Sequence, residues 1–183
     1  MNSLAYIHRF RSALPAIREW IETTLAEHEA QAVAVNEFDF PRLQKAFSGD
    51  VLKRAKSVVI KGKVPFPPLT RMGLGELATF ERMSIAGITY KDTFFVSRPH
   101  QTESLYFHEM VHVLQWERLG IDDFLLTYAT GLIKFGYRDC PLEQIAYSLE
   151  EKFERGTLPD GVVDLIWQKI DAVQMNWLTP SPV

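Results

Sequence analysis

A chain of 183 residues with 46% apolar content is about one domain's worth, with ample material for a buried core, and residues 1–183 are read as a single domain. Charged residues make up 23% and the formal net charge is -3, which excludes a global attraction to a polyanion such as nucleic acid. The one cysteine, Cys140, excludes an intramolecular disulfide framework and fits a reducing compartment, so a cytoplasmic protein is expected. No apolar h-region follows a basic start and no run approaches 18 apolar residues, so neither a signal peptide nor a membrane span is expected.

In chain order, Leu14, Ile17, Ile21 and Leu25 recur at spacings of three and four, which predicts an amphipathic helix from about 12 to 30. Pro41 suits the first turn of a short helix reaching Phe47, with Gly49 expected to stop it. Ser57-Val-Val-Ile60 reads as a short strand, and Lys53, Arg54, Lys56, Lys61 and Lys63 around it read as the guard of an exposed sheet edge. This basic cluster lacks the interleaved aromatics that base stacking needs. Three prolines in Val64-Pro-Phe-Pro-Pro-Leu69 impose an extended connector, suited to lie over a cleft. Gly73 and Gly75 mark a turn, since no Gly-Lys-Ser/Thr follows to make a phosphate loop. Residues 85–96 read as a hairpin about Lys91-Asp92. Beyond Pro99 the pattern is helical, with Thr102 as cap, Glu103 in the first turn and Gly120 ending the helix after Leu119. Further helices are expected at about 122–135, 141–155 and 160–176. The N-terminal helical part spans about 1–55 and the core of the site about 85–155.

The segment that carries chemistry is His108-Glu109-Met-Val-His112, an H-E-x-x-H sequence inside a predicted helix. Residues four apart stand one above the other on a helix, so the two imidazoles can converge on one ion about 2.0 to 2.1 Å from each nitrogen. Glu109, one residue round from the first ligand, is placed to take a proton from a water at the metal as general base. Zinc at such a site would polarise a carbonyl, and hydrolysis of a peptide or other amide is the natural chemistry. A chance pentapeptide would lack context, whereas this one sits among Leu105, Phe107, Met110, Val111, Val113 and Leu114, where two histidines and a glutamate are costly to bury unless something binds them.

A third protein ligand is required, with the fourth position left open. Downstream, Pro141-Leu-Glu143-Gln-Ile-Ala146-Tyr147 opens a helix whose apolar face is Leu142, Ile145, Ala146, Leu149 and Phe153. Glu143 borders that face beside the small Ala146, and the chain between His112 and Glu143 can hold a helix and its return, so Glu143 is the expected third ligand. Glu150 on the same border is either a partner for a histidine Nδ1 or a competing ligand. Tyr147, or Tyr137, is a candidate donor to the developing oxyanion, with packing roles open to both. His8, His28 and His100 read as surface residues, and Cys140 as a small buried cysteine.

H-E-M-V-H-x-x-Q followed about thirty residues later by P-x-E-x-x-A-Y resembles the minimal zincins of bacteria, gluzincin-like in using a glutamate as third ligand. The resemblance covers roughly residues 85–155. It implies a zinc metallopeptidase with His108, His112 and Glu143 as ligands and Glu109 as base. It further implies an active-site helix under a small sheet whose edge strand takes an extended peptide by strand addition, here one arm of the 85–96 hairpin. Thermolysin-like gluzincins carry an asparagine before the third ligand and an aspartate four residues after it; here those positions are Leu142 and Tyr147. The expected architecture is α+β, mostly helical, with the sheet beside the metal helix. The alternative is a non-catalytic zinc-binding module, whose closed site would recruit Glu150, His100 or Cys140 as fourth ligand.

Overall fold

The computed structural model describes residues 3–178. Its architecture is α+β and mostly helical. Helix α1 spans Ser3–His28, β1 Val33–Ala34, α2 Pro41–Ala46, α3 Gly49–Arg54 and β2 Lys56–Ile60. Then come α4 Ala78–Glu81, β3 Gly87–Tyr90, β4 Thr93–Ser97, α5 Glu103–Phe135, α6 Pro141–Arg155 and α7 Val162–Leu178. No helix among the described residues is long and apolar enough to cross a membrane.

The sheet has strand order β1-β2-β4-β3. Strands β2 and β4 run parallel, with Val58 opposite Phe95, and β1–β2 and β4–β3 are antiparallel. The expected hairpin is present, and Lys91 takes the left-handed conformation at its turn (φ 59°). Alternation along the strands divides their side chains between two helical layers. Phe94 meets Tyr106 of α5 on one face, while Phe95 and Tyr90 meet His28 and Trp20 of α1 on the other.

Four expectations are corrected. Helix α1 begins well before residue 12, because Tyr6, Phe10, Ala13, Leu14, Ile17 and Ile21 form one continuous buried stripe. Pro15 falls on the exposed side of that stripe, and packing outweighs its missing N–H. Gly49 opens α3 rather than ending α2, because the Ser48 hydroxyl accepts from Val51 N at 3.4 Å as the cap. Strand β2 is not an edge: two residues of β1 pair with it on one side and β4 on the other. His28 is also half-buried, edge-on to Phe95, with Nδ1 2.9 Å from Thr24 O.

Helix α5 supplies the spine. Its Thr102 cap accepts from Leu105 N at 3.2 Å, while Glu103 accepts from Leu43 N at 2.8 Å and so caps α2. Gly120 has φ 74° and ψ 174°, which splits α5 into two arms where the sequence placed the end of one helix and the start of another. Pro141 in the first turn of α6 and left-handed Gly156 at its end match the predicted 141–155 helix.

Candidate metal centre

The three predicted ligands converge. His108 Nε2 and His112 Nε2 lie 3.1 Å apart; His108 Nε2 is 3.4 Å from Glu143 Oε2, and His112 Nε2 is 3.4 Å from Glu143 Oε1. All three side chains are buried. Donors about 2.0 to 2.1 Å from a tetrahedral ion stand about 3.3 to 3.4 Å from one another, so this triangle has the dimensions of three corners of a zinc-type site. Among the described residues it is the one group of three such side chains with donor atoms within 4.8 Å.

Hydrogen bonds on the far side of each ring fix what the near side presents. Glu150 Oε2 is 3.0 Å from His108 Nδ1 and can only accept, so Nδ1 carries the proton. Gln115 donates its Nε2 to Leu142 O at 2.9 Å, which turns its Oε1 toward His112 Nδ1 at 2.8 Å, and that nitrogen donates too. Both Nε2 lone pairs therefore aim at a carboxylate, and Glu143 Oε2 is buried without a hydrogen-bond partner. Such an arrangement calls for a positive charge at its centre. The same demand appears in the protonation of the side chains alone. Burial works to lower the His108 pKa, yet the hydrogen bonds of Glu143 and Glu150 push it up to about 10. Burial works to raise Glu143, and the two imidazoles hold it well below the usual carboxylate range.

Glu109 points to the sheet instead. Thr89 Oγ1 donates to Glu109 Oε2 at 2.6 Å, and the Glu109 carboxylate lies against Gly87, where any Cβ would overlap Oε1. Burial raises the Glu109 pKa, partly offset by His112 and His108. Ser97 N bonds Ala86 O, so in the β3–β4 register the peptide groups of Gly87 and Thr89 turn away from β4 toward the outer edge. There Trp116 Nε1 donates to Thr89 O at 3.1 Å. Glu109, His112 and Glu143 are among the lining of a largely apolar cavity of about 100 Å³.

Tyr147 stands with its ring 4.7 Å from that of His108, beneath the Arg138 guanidinium, and interacts with Tyr137, which lines the cavity. The tyrosine that meets the cluster directly is Tyr128, whose hydroxyl donates to Glu143 Oε1 at 2.5 Å. Sequence reasoning missed Tyr128, Thr89 and Gly87. For Tyr128 the one available signal was its place on a helix expected to return toward His112. Glu150 takes the Nδ1-partner role, and its side chain is 20% exposed against 2% for Glu143. Cys140 is buried with its sulfur 3.8 Å from Tyr128 O, and burial pushes its thiol up to about 12. His100 is exposed in the turn after β4.

Compared with protein-family models, curated proteins and solved structures, the chain matches none of them.

Proposed function

We propose that the protein is a metal-dependent hydrolase of peptide or other amide bonds, a minimal zincin-like metallopeptidase, with His108, His112 and Glu143 holding zinc. The observation that carries this reading is the convergence of two Nε2 lone pairs on a buried carboxylate whose Oε2 has no hydrogen-bond partner, beside a separately held acid, Glu109. Two imidazoles and one carboxylate at these separations suit zinc by donor type and spacing. When bound, the ion supplies Lewis acidity toward a carbonyl and acidifies a water.

The protein groups divide the remaining work. Glu109 accepts the proton of the attacking water and returns it to the leaving nitrogen, and its burial-raised pKa suits a group that must both take and give. Thr89 and the missing side chain of Gly87 hold its carboxylate in place. Tyr147 and Tyr137 are the candidate donors to the carbonyl oxygen as it gains charge, and burial raises both phenols so that they keep their protons. Tyr128 holds Glu143 in orientation through its hydrogen bond to Oε1.

A non-catalytic zinc module would need a fourth protein donor. Glu150 faces the far nitrogen of His108, the Cys140 sulfur is turned to Tyr128 O, and His100 lies exposed, so a three-donor open site is favoured. The test is metal content by elemental analysis before and after chelation, followed by peptide cleavage by the reloaded protein. One zinc per chain, lost in Glu143→Ala, together with cleavage that Glu109→Gln abolishes, is the expected result. Stoichiometric metal that survives Glu143→Ala would remove the ligand assignment.

A further inference from the structure

The cavity at the candidate centre differs in chemistry from the cluster that shares its wall. It is lined by Phe10 and Ile17 of α1 with Trp116 and Leu132 of α5, all buried, and by half-buried Phe80 and Met83. No lysine or arginine lines it, and its carboxylates, Glu109 and Glu143, are already engaged by Thr89, Tyr128 and the imidazoles. A charged group entering it would be desolvated without a partner, whereas an apolar one exchanges water for close contacts. An apolar cavity of about 150 Å³ holds one benzene ring, so about 100 Å³ limits an occupant to a single branched alkyl or phenyl group and excludes an extended acyl chain.

We propose that this cavity is the specificity subsite of the enzyme, receiving one uncharged side chain of leucine or phenylalanine size that flanks the scissile amide. The inference rests on the hydrolytic reading above. Its geometric basis is that Glu109, His112 and Glu143 are themselves wall residues, so a side chain seated in the cavity brings its own peptide group to the base and the metal donors. The wall is also held in place. Arg9 forms an ion pair with Glu76, tying α1 to the segment that carries Leu77 and Phe80, and the indole of Trp116 is fixed by its bond to Thr89 O and by stacking on Phe124 at 4.0 Å.

Two measurements on the full chain test it. In the first, the zinc-loaded protein cleaves internally quenched peptides identical but for Ala, Leu, Phe, Lys or Asp next to the cut bond. The Leu and Phe peptides should exceed Ala by about 100-fold in kcat/KM, the discrimination an apolar pocket achieves for a few carbons, and exceed Lys and Asp by more. In the second, toluene is titrated into the protein and followed by the chemical shift of the Met83 methyl group, a readout that needs no turnover. A saturable shift is expected, and Ala129→Leu, which adds three carbons to the cavity wall, should remove both it and the Leu/Phe preference. If Ala129→Leu does not fold, Met83→Ala in the half-buried part of the lining should move the preference toward tryptophan. Equal turnover of the Ala, Leu and Lys peptides, or a linear toluene response, overturns the inference. Toluene binding that Ala129→Leu removes, with no peptide cleaved, upholds the cavity as an apolar side-chain site and overturns the hydrolytic reading instead.

Discussion

The two histidines lie one turn apart on one helix, yet their surroundings differ. His108 leans on charge: its Nδ1 meets the partly exposed carboxylate of Glu150, and its ring faces Tyr147 under Arg138. His112 leans on a neutral, buried relay, in which Gln115 is fixed by the Leu142 carbonyl at the start of α6. One imidazole is therefore tuned electrostatically and the other is locked geometrically to the helix that carries Glu143. The first answers to the charge on the partly exposed Glu150, and the second to the packing of α5 on α6.

The largest effects come from breaking either side outright. His108→Ala or His112→Ala should leave the chain without zinc after dialysis, as read by elemental analysis; retention of one equivalent would show that the donors lie elsewhere. Next is loss of the proposed base with the proposed ligands intact. Glu109→Gln should keep its metal and lose about 10²- to 10⁴-fold in kcat or more. Gly87→Ala should mimic it, because the new Cβ overlaps the Glu109 carboxylate, and parent-level turnover by Gly87→Ala would show that Glu109 is not held where it acts.

Smaller changes sharpen the contrast between the two histidines. Glu150→Gln and Gln115→Leu should each weaken zinc affinity about 10- to 100-fold in competition with a fluorescent chelator. Only Glu150→Gln should also alter the pH dependence of binding, since it alone removes a charge from an imidazole. For the parent the sign follows from His108. Its pKa in the metal-free fold is raised to about 10 from 6.5, so the stability that this proton contributes is fully present below about pH 6.5 and lost as pH rises through about 10. If zinc binds as proposed, proton and metal compete for the same nitrogen, so apparent affinity should rise about tenfold per pH unit over the neutral to alkaline range, with one proton released per ion bound. Calorimetry in buffers of different ionisation enthalpy counts that proton, and a count of zero would contradict it.

What the sequence disclosed follows from what is local. The i, i+4 pair, the Thr102 cap, the break at Gly120 and the Pro141 start are each set by neighbours within a turn or two, and all appear in the fold. Glu143 was legible one level higher, from its place at the border of an apolar face beside Ala146. Gln115 lay three residues beyond His112, close enough on a helix for its amide to meet the ring. Thr89 and Gly87 were illegible because their role depends on where β3 lies along α5, which tertiary packing decides. The lysines around β2 misled for the same reason, since the strand that covers it is two residues long and carries no periodic signal. The first turns of α1 were missed although Tyr6 and Phe10 continue the same buried stripe, which runs past Pro15 on the opposite side of the helix.

The close seam between α5 and α6 has a consequence for how the molecule can be watched. At Gly131 the helices approach so nearly that a Cβ would lie 2.7 Å from the Cys140 sulfur, and this is the chain's one thiol. A disulfide reagent can reach it only when the seam parts, three residues from Glu143. The rate of thiol labelling under native conditions thus counts the openings of that seam, and an ion bridging α5 to α6 should slow it in proportion to its occupancy.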